Sequence, residues 1–213
     1  MKVQNVLWDF NGTILDDVQI GIDAVNVLLR RRNKPVLSSL DEYQAIFGFP
    51  IMDYYVRAGF DFREESFEKI APEWVAEYLK REPSAPICPG VRETLRRFRN
   101  AGMRQYIVSA SEIGILKKQI TARGLADYFE GLFGLDNIHA GSKEAIVCEV
   151  VRSLNGSAVM LGDTVHDAEC AAAAKIPVIL IAAGHQSFQK LSDTGKPTVR
   201  SALEACQLIL EEI

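Results

Sequence analysis

Val6-Leu7-Trp8-Asp9-Phe10-Asn11-Gly12-Thr13-Ile14-Leu15 is the stretch on which the fold turns. It completes an apolar run, Val3 to Trp8 with two polar interruptions, that reads as a buried strand. The run breaks at a carboxylate, Asp9, and Asn11-Gly12 then favours a turn. A carboxylate at the carboxyl end of a parallel strand stands where open α/β sheets bind ligands. Ser109, Lys143, Asp163 and Asp167 recur at later strand ends or helix starts and are the candidate partners of Asp9.

Beyond this stretch the pattern changes twice. Asp16 or Asp17 can cap a helix whose apolar positions are Val18, Ile22, Val25 and Leu29. Ser39-Leu40-Asp41-Glu42 forms a capping box, and Pro50 suits the first turn of the next helix. A helix over Glu64 to Lys80 carries Phe67, Ile70, Trp74, Val75, Tyr78 and Leu79 on one face, with Pro72 predicted to kink or split it. The segment 16–83 is therefore all helix, and Pro83-Ser84-Ala85-Pro86 is a linker-like break. From residue 84 helices alternate with strands at Arg104–Ser109, Leu132–Gly134, Ala158–Leu161 and Pro177–Ile181, with a loop reaching Gly141. Alternation of this kind predicts an α/β fold, a doubly wound parallel sheet with helices on both faces. The sheet needs its first strand as well as the later ones. The expected organisation is thus a core domain of 1–15 and 84–213 and an all-α cap domain of 16–83 inserted after strand 1.

Composition narrows the function classes. A chain of 213 residues that is 48% hydrophobic supports a packed core and excludes a disordered chain. A net charge of −4 with mixed signs leaves no basic block for nucleic acid; Arg30-Arg31-Arg32 and Arg96, Arg97 and Arg99 read as solvated helix faces. No stretch reads as a signal peptide or a membrane span. Cys88, Cys148, Cys170 and Cys206 lack the close spacing of a zinc site and read as free thiols, which points to the cytoplasm, with Cys148 and Cys170 in the core.

The set Asp9-Phe10-Asn11-Gly12-Thr13, Ser109, Lys143 and Gly162-Asp163-Thr164-Val165-His166-Asp167 resembles the four motifs of the haloacid dehalogenase-like superfamily. Its first motif is D-x-D-G-T and its fourth G-D-x-x-x-D. Pro89-Gly90-Val91 looks like the return from a small helical cap in phosphoglycolate phosphatase-like members. The resemblance implies a Rossmann-like core and a small phosphorylated metabolite as substrate, handled by a monomer or dimer. It implies that Asp9 is a nucleophile that forms an aspartyl phosphate. Ser109 and the backbone N–H of Ala110 would hold phosphoryl oxygens, and Lys143 would balance charge. Mg²⁺ would be held by the side chains of Asp9 and Asp163 and the carbonyl of Asn11, with Asp167 as a ligand or a partner of Lys143. Thr13 would hydrogen-bond locally and hold the loop, and Gly48-Phe49-Pro50, Tyr54, Tyr55 and Arg57 would line a substrate pocket, unless the aromatics pack the cap and Arg57 lies on a solvated face.

Asn11 replaces the second Asp of the first motif. The catalytic position keeps its carbonyl but loses the group that would protonate an alkoxide and activate water, a loss of roughly 10²–10⁴ in rate. Three functions follow as expectations: a Mg²⁺-dependent phosphatase, a phosphonatase-type carbon–phosphorus hydrolase using a cap lysine (Lys34, Lys69 or Lys80), or a phosphometabolite-binding protein with little turnover. His166 is expected to face solvent at a helix start, and His139 and His185 to lie in loops away from it.

Overall fold

The computed structural model describes residues 3–135 and 142–211. Six parallel strands form one sheet in the order β3-β2-β1-β4-β5-β6. They are β1 (Asn5–Trp8), β2 (Arg104–Glu112), β3 (Gly131–Leu135), β4 (Ala158–Gly162), β5 (Val178–Ile181) and β6 (Thr198–Val199). The strand order runs outward from β1 in both directions, so the switch point of the sheet lies at β1 and opens a crevice beyond its carboxyl end. Trp8 pairs in register with Ile107 on β2 and Leu161 on β4. All four residues of β1 are buried, as expected of a central strand covered on both faces.

An insert of four helices follows β1: α1 (Val18–Arg31), α2 (Leu40–Ile46), α3 (Ile51–Arg57) and α4 (Phe67–Arg81). They enclose a cluster of their own, built from Val25, Leu28, Tyr43, Tyr54, Tyr55, Phe60 and Ile70 among others. Tyr54 and Tyr55 therefore pack the insert. Ser39 accepts the Glu42 N–H at the start of α2, one half of the capping box read from the sequence; the Glu42 carboxylate accepts the N–H of Ser38, one residue before the cap. The remaining helices are α5 (Val91–Asn100), which leads into β2, then α6 (Ile113–Ala122), α7 (Lys143–Ser153), α8 (Val165–Ala173), α9 (Phe188–Ser192) and α10 (Ala202–Glu211).

The insert enters and leaves through paired chain segments. Leu15 bridges Ile87 in antiparallel fashion, the Asp16 N–H donates to the Pro86 carbonyl at 2.9 Å, and the Cys88 N–H donates to the Ile14 carbonyl at 2.9 Å. The two linker-like stretches thus form one narrow ladder.

Several expectations are corrected. Pro72 does not split α4, because it falls in the second turn and removes one ladder bond near the helix start. Leu79 is exposed rather than on the buried face, and Glu77 is buried instead, held by Arg31, Lys80 and Arg81. β2 does not stop at Ser109; it continues to Glu112 across a register shift between Val108 and Glu112. Cys148 is half-buried rather than core, whereas Cys170 is fully buried. β6, of two residues, carries too little pattern to be read from sequence. The loop reaching Gly141, with His139, lies outside the described residues beyond Leu135.

Candidate active site

Asp9 is the first residue past β1. Its N–H donates to the Leu161 carbonyl at 2.8 Å, so the ladder with β4 fixes its backbone. The chain then turns sharply: the Phe10 carbonyl accepts from the N–H groups of Ile14 and Leu15 at 2.8 and 2.9 Å, and Gly12 has φ +75°. A Cβ at Gly12 would collide with the carboxylate of Asp163 and the ring of His185. Glycine is therefore required both by the left-handed backbone and by the close approach.

Three carboxylates converge here. Asp163 follows β4, and Asp167 lies in the first turn of α8; oxygens of Asp9, Asp163 and Asp167 all lie within 4.8 Å of one another. The Lys143 ammonium, on the first residue of α7, donates to Asp9 Oδ1 and, at 2.5 Å, to Asp167 Oδ1. Asp167 Oδ2 accepts from the N–H and the hydroxyl of Thr164, which completes a capping box. Both oxygens of Asp167 are thus engaged. The Thr13 hydroxyl reaches across to Asp163 Oδ1 at 2.9 Å, closer than its 3.5 Å approach to Asp9 Oδ2 within its own turn.

Burial raises the pKa of Asp9 well above its ordinary value; Lys143 opposes this, while Asp167 and Asp163 add to it. Burial also raises Asp163, against the opposing influence of His185. Burial disfavours the charged form of Lys143, but Asp167 and Asp9 outweigh it and hold the ammonium charged. With all three carboxylates ionised, the cluster carries more negative charge than Lys143 offsets, which adds to burial in raising Asp9 and Asp163. An all-oxygen donor set with surplus negative charge fits a hard divalent cation such as Mg²⁺.

Ser109 is buried, and its Oγ accepts the Ser111 N–H at 3.1 Å; Ala110 between them is half-buried. Arg57 is exposed, and its Nε donates to the Ile46 carbonyl at 2.7 Å, closing the end of α2 rather than bonding a carboxylate of the cluster. His166 is not simply solvent-facing: its ring stacks on Phe49 of the insert at 4.5 Å.

Sequence reasoning missed three contributors. Asp17, read as a helix cap, makes no cap bond to α1; its carboxylate turns inward to Gly12 and Asn11. Tyr78 of α4 donates to Asp17 Oδ2 at 2.6 Å and accepts from Asn11 Nδ2 at 2.9 Å. His185, placed in a remote loop by sequence, lies in the site: its N–H donates to Asp163 Oδ2 at 2.6 Å, and its Nδ1 lies 2.7 Å from the Tyr43 hydroxyl. Burial would lower the His185 pKa, but Asp17 and Asp163 lift it to about 9. Its position shortly past β5 was the available signal, since the strand-end rule that selects Asp9 and Asp163 selects it too.

Among the described residues no helix is long and apolar enough to cross a membrane. A phosphoglycolate phosphatase of Caulobacter vibrioides is 27% identical over 190 residues, covering 84% of this chain and 79% of its own. Another, from Psychrobacter arcticus, is 28% identical over 180 residues, covering 78% of each chain. In fold, the chain matches a haloacid dehalogenase-like family hydrolase of Streptococcus pneumoniae with TM-score 0.82 at 16% identity, covering 97% of this chain and 98% of that one. It also matches protein tyrosine kinase A of Mycobacterium tuberculosis with TM-score 0.81 at 21% identity, covering 98% of each. The model of the haloacid dehalogenase-like hydrolases matches residues 6–181, the span that holds Asp9, Lys143 and Asp163, and the chain belongs to that family.

Proposed function

We propose that this chain is a Mg²⁺-dependent phosphatase that hydrolyses a small phosphate monoester through an aspartyl phosphate on Asp9. The observation that carries the reading is the buried cluster itself. Asp9 ends the central strand, is bonded by Lys143, and faces Asp163 and Asp167. Asp9 and Asp163, with the backbone carbonyl of Asn11, would hold Mg²⁺, and Asp167 serves as the partner that aims Lys143. When bound, the ion neutralises phosphoryl oxygens and makes phosphorus more electrophilic.

In the first step an Asp9 carboxylate oxygen attacks phosphorus and the ester P–O bond breaks, releasing an alkoxide that takes a proton from solvent water. In the second step water attacks the same phosphorus, the bond to Asp9 breaks, and the carboxylate is regenerated with release of phosphate. Ser109 and the N–H of Ala110 would hold the phosphoryl oxygens. Lys143 keeps Asp9 aligned and offsets charge as the phosphoryl group arrives. Asn11 has no ionisable group for either proton transfer, which favours substrates with good leaving groups. Asp9, Ser109, Lys143 and Asp163 are all buried, so the reading requires the helical insert to swing away for substrate entry.

The relatives make phosphoglycolate the first substrate to try. The phosphonatase alternative needs a desolvated lysine in the insert, whereas Lys69 and Lys80 are exposed and Lys34 is half-buried just past α1. The test is phosphate release with Mg²⁺ and with chelator across phosphoglycolate, sugar phosphates and an aryl phosphate, with Asp9→Asn as control. Mg²⁺-dependent release that the control lacks is the expected result. No release across the panel, with tight calorimetric binding of one compound, would instead make this a phosphometabolite-binding protein.

A further inference from the structure

Asp17 is 2% exposed, and its two oxygens have distinct partners. Oδ1 accepts the Gly12 N–H at 2.9 Å and lies 3.6 Å from His185 Nε2. Oδ2 accepts from Asn11 Nδ2 at 2.7 Å and from the Tyr78 hydroxyl at 2.6 Å. On its other side Asn11 Oδ1 accepts from the Ser111 hydroxyl at 2.8 Å, and the Ser111 N–H donates to Ser109 Oγ. Each hydrogen is spoken for. A carboxylate is acceptor-only, and the hydroxyl hydrogen of Tyr78 points to Asp17, so Asn11 must turn its NH₂ toward both and its carbonyl toward Ser111. The opposite flip would set two acceptors face to face.

We propose that Asp17 is a positioning residue: together with Tyr78 from the insert it fixes the direction of the Asn11 carboxamide, and through Ser111 it orders the Ser109 end of β2, so that residues 11 and 17 form a matched amide–carboxylate pair. The kinetic part of this proposal rests on the phosphatase reading. The pairing follows from the bond directions alone. An ordinary helix cap does not account for Asp17, because neither oxygen bonds an N–H of α1.

The pair has a property that makes it testable: its polarity is reversible. Suppose the carboxylate and the carboxamide change places. The amide oxygen at position 17 would still take the Gly12 N–H, and its NH₂ would donate to position 11. The hydroxyls of Tyr78 and Ser111 would both donate to the carboxylate now at position 11. No donor would be left without an acceptor. Either single change breaks the match. Asn11→Asp alone opposes two buried carboxylates at hydrogen-bond distance. Asp17→Asn alone opposes two NH₂ groups, so Asn11 must flip and the Ser111 hydroxyl must reverse.

The experiment is a double-mutant cycle on the full chain, read by melting temperature in chelator and by kcat and KM with Mg²⁺. Asp17→Asn should lower kcat about ten- to hundred-fold with little change in KM, measured well below the variant's own melting temperature so that the folded fraction does not enter. Asn11→Asp should lower the melting temperature and the double variant should regain it; turnover of the double variant is compared with that of Asn11→Asp, since both carry the ionisable group at position 11 that the wild type lacks. Melting-temperature shifts of the single variants that merely add in the double variant would overturn the pairing, and an unchanged kcat in Asp17→Asn would overturn the positioning role. A wild-type protein inactive on the whole panel would overturn the phosphatase reading and the kinetic claim with it, while the melting cycle would still decide the pair.

Discussion

Replacing Lys143 by methionine keeps the length of the side chain and removes the cation that Asp9 and Asp167 share. The lysine side chain is 5% exposed, and those of Asp9 and Asp167 are 10% and 1% exposed, so water cannot take over the lost contacts. Removing one partner of a buried ion pair costs about 3–5 kcal/mol. The escape route, protonating one carboxylate at pH 7, costs about 4 kcal/mol for a group of ordinary pKa and less for Asp9, whose pKa burial raises, so the lower end of this range is expected. For a chain of this length each kcal/mol shifts Tm by about 2–4 °C, so the expected loss lies toward the lower end of about 6–20 °C at pH 7. The sign with pH follows: the deficit arises from unpaired negative charge, so it should shrink as pH falls toward ~5 and protonation becomes easier. Calorimetric melts of wild type and Lys143→Met in chelator at both pH values measure it. A loss below about 2 °C at pH 7 would refute the argument that Lys143 offsets the charge of this cluster.

Asp9→Asn should abolish turnover yet melt higher than wild type in chelator, because burial and the neighbouring carboxylates oppose its charge; Mg²⁺ should then raise its Tm less than that of wild type. Gly12→Ala should lose both stability and activity, since the added carbon meets Asp163 and His185 at a positive φ; unchanged melting and turnover would contradict the geometry. Glu77, bonded by Lys80, Arg81 and Arg31, has its pKa held down at about 2, so its contribution is complete above about 4.5 and is lost as pH falls through about 2. Glu77→Gln should therefore flatten the acid limb of the Tm–pH curve, and an unaltered limb would count against the assignment.

The alternation of apolar strands with helices made the parallel sheet legible, and the position of each carboxylate at a strand end made Asp9 and Asp163 legible. What stayed hidden has physical causes. Asp17 satisfies every local criterion for a helix cap, and only the arrival of Tyr78 from 61 residues away reveals the other use of its carboxylate. His185 joins the site because β5 delivers the following loop beside Gly12, a juxtaposition that sequence spacing does not express. The irregular register of β2 puts Ser109 inside a strand although the apolar run stops before it. Pro72 was over-read, since the cost of proline depends on its turn within the helix and not on its presence alone.

The central place of β1 also sets the order in which this protein can assemble on a ribosome. Asn5–Trp8 emerges first but finds its partners only at residues 104–107 and 158–161. At an elongation pace of about 5–20 residues per second, the nascent β1 waits about eight to thirty seconds for its second neighbour. The four helices of the insert are complete well before that and can bury their own aromatic cluster in the meantime. The strand at the centre of the finished sheet is thus the one left longest without a sheet. Slow codons between residues 8 and 104 would lengthen its exposure, whereas slow codons after residue 161 would cost it nothing.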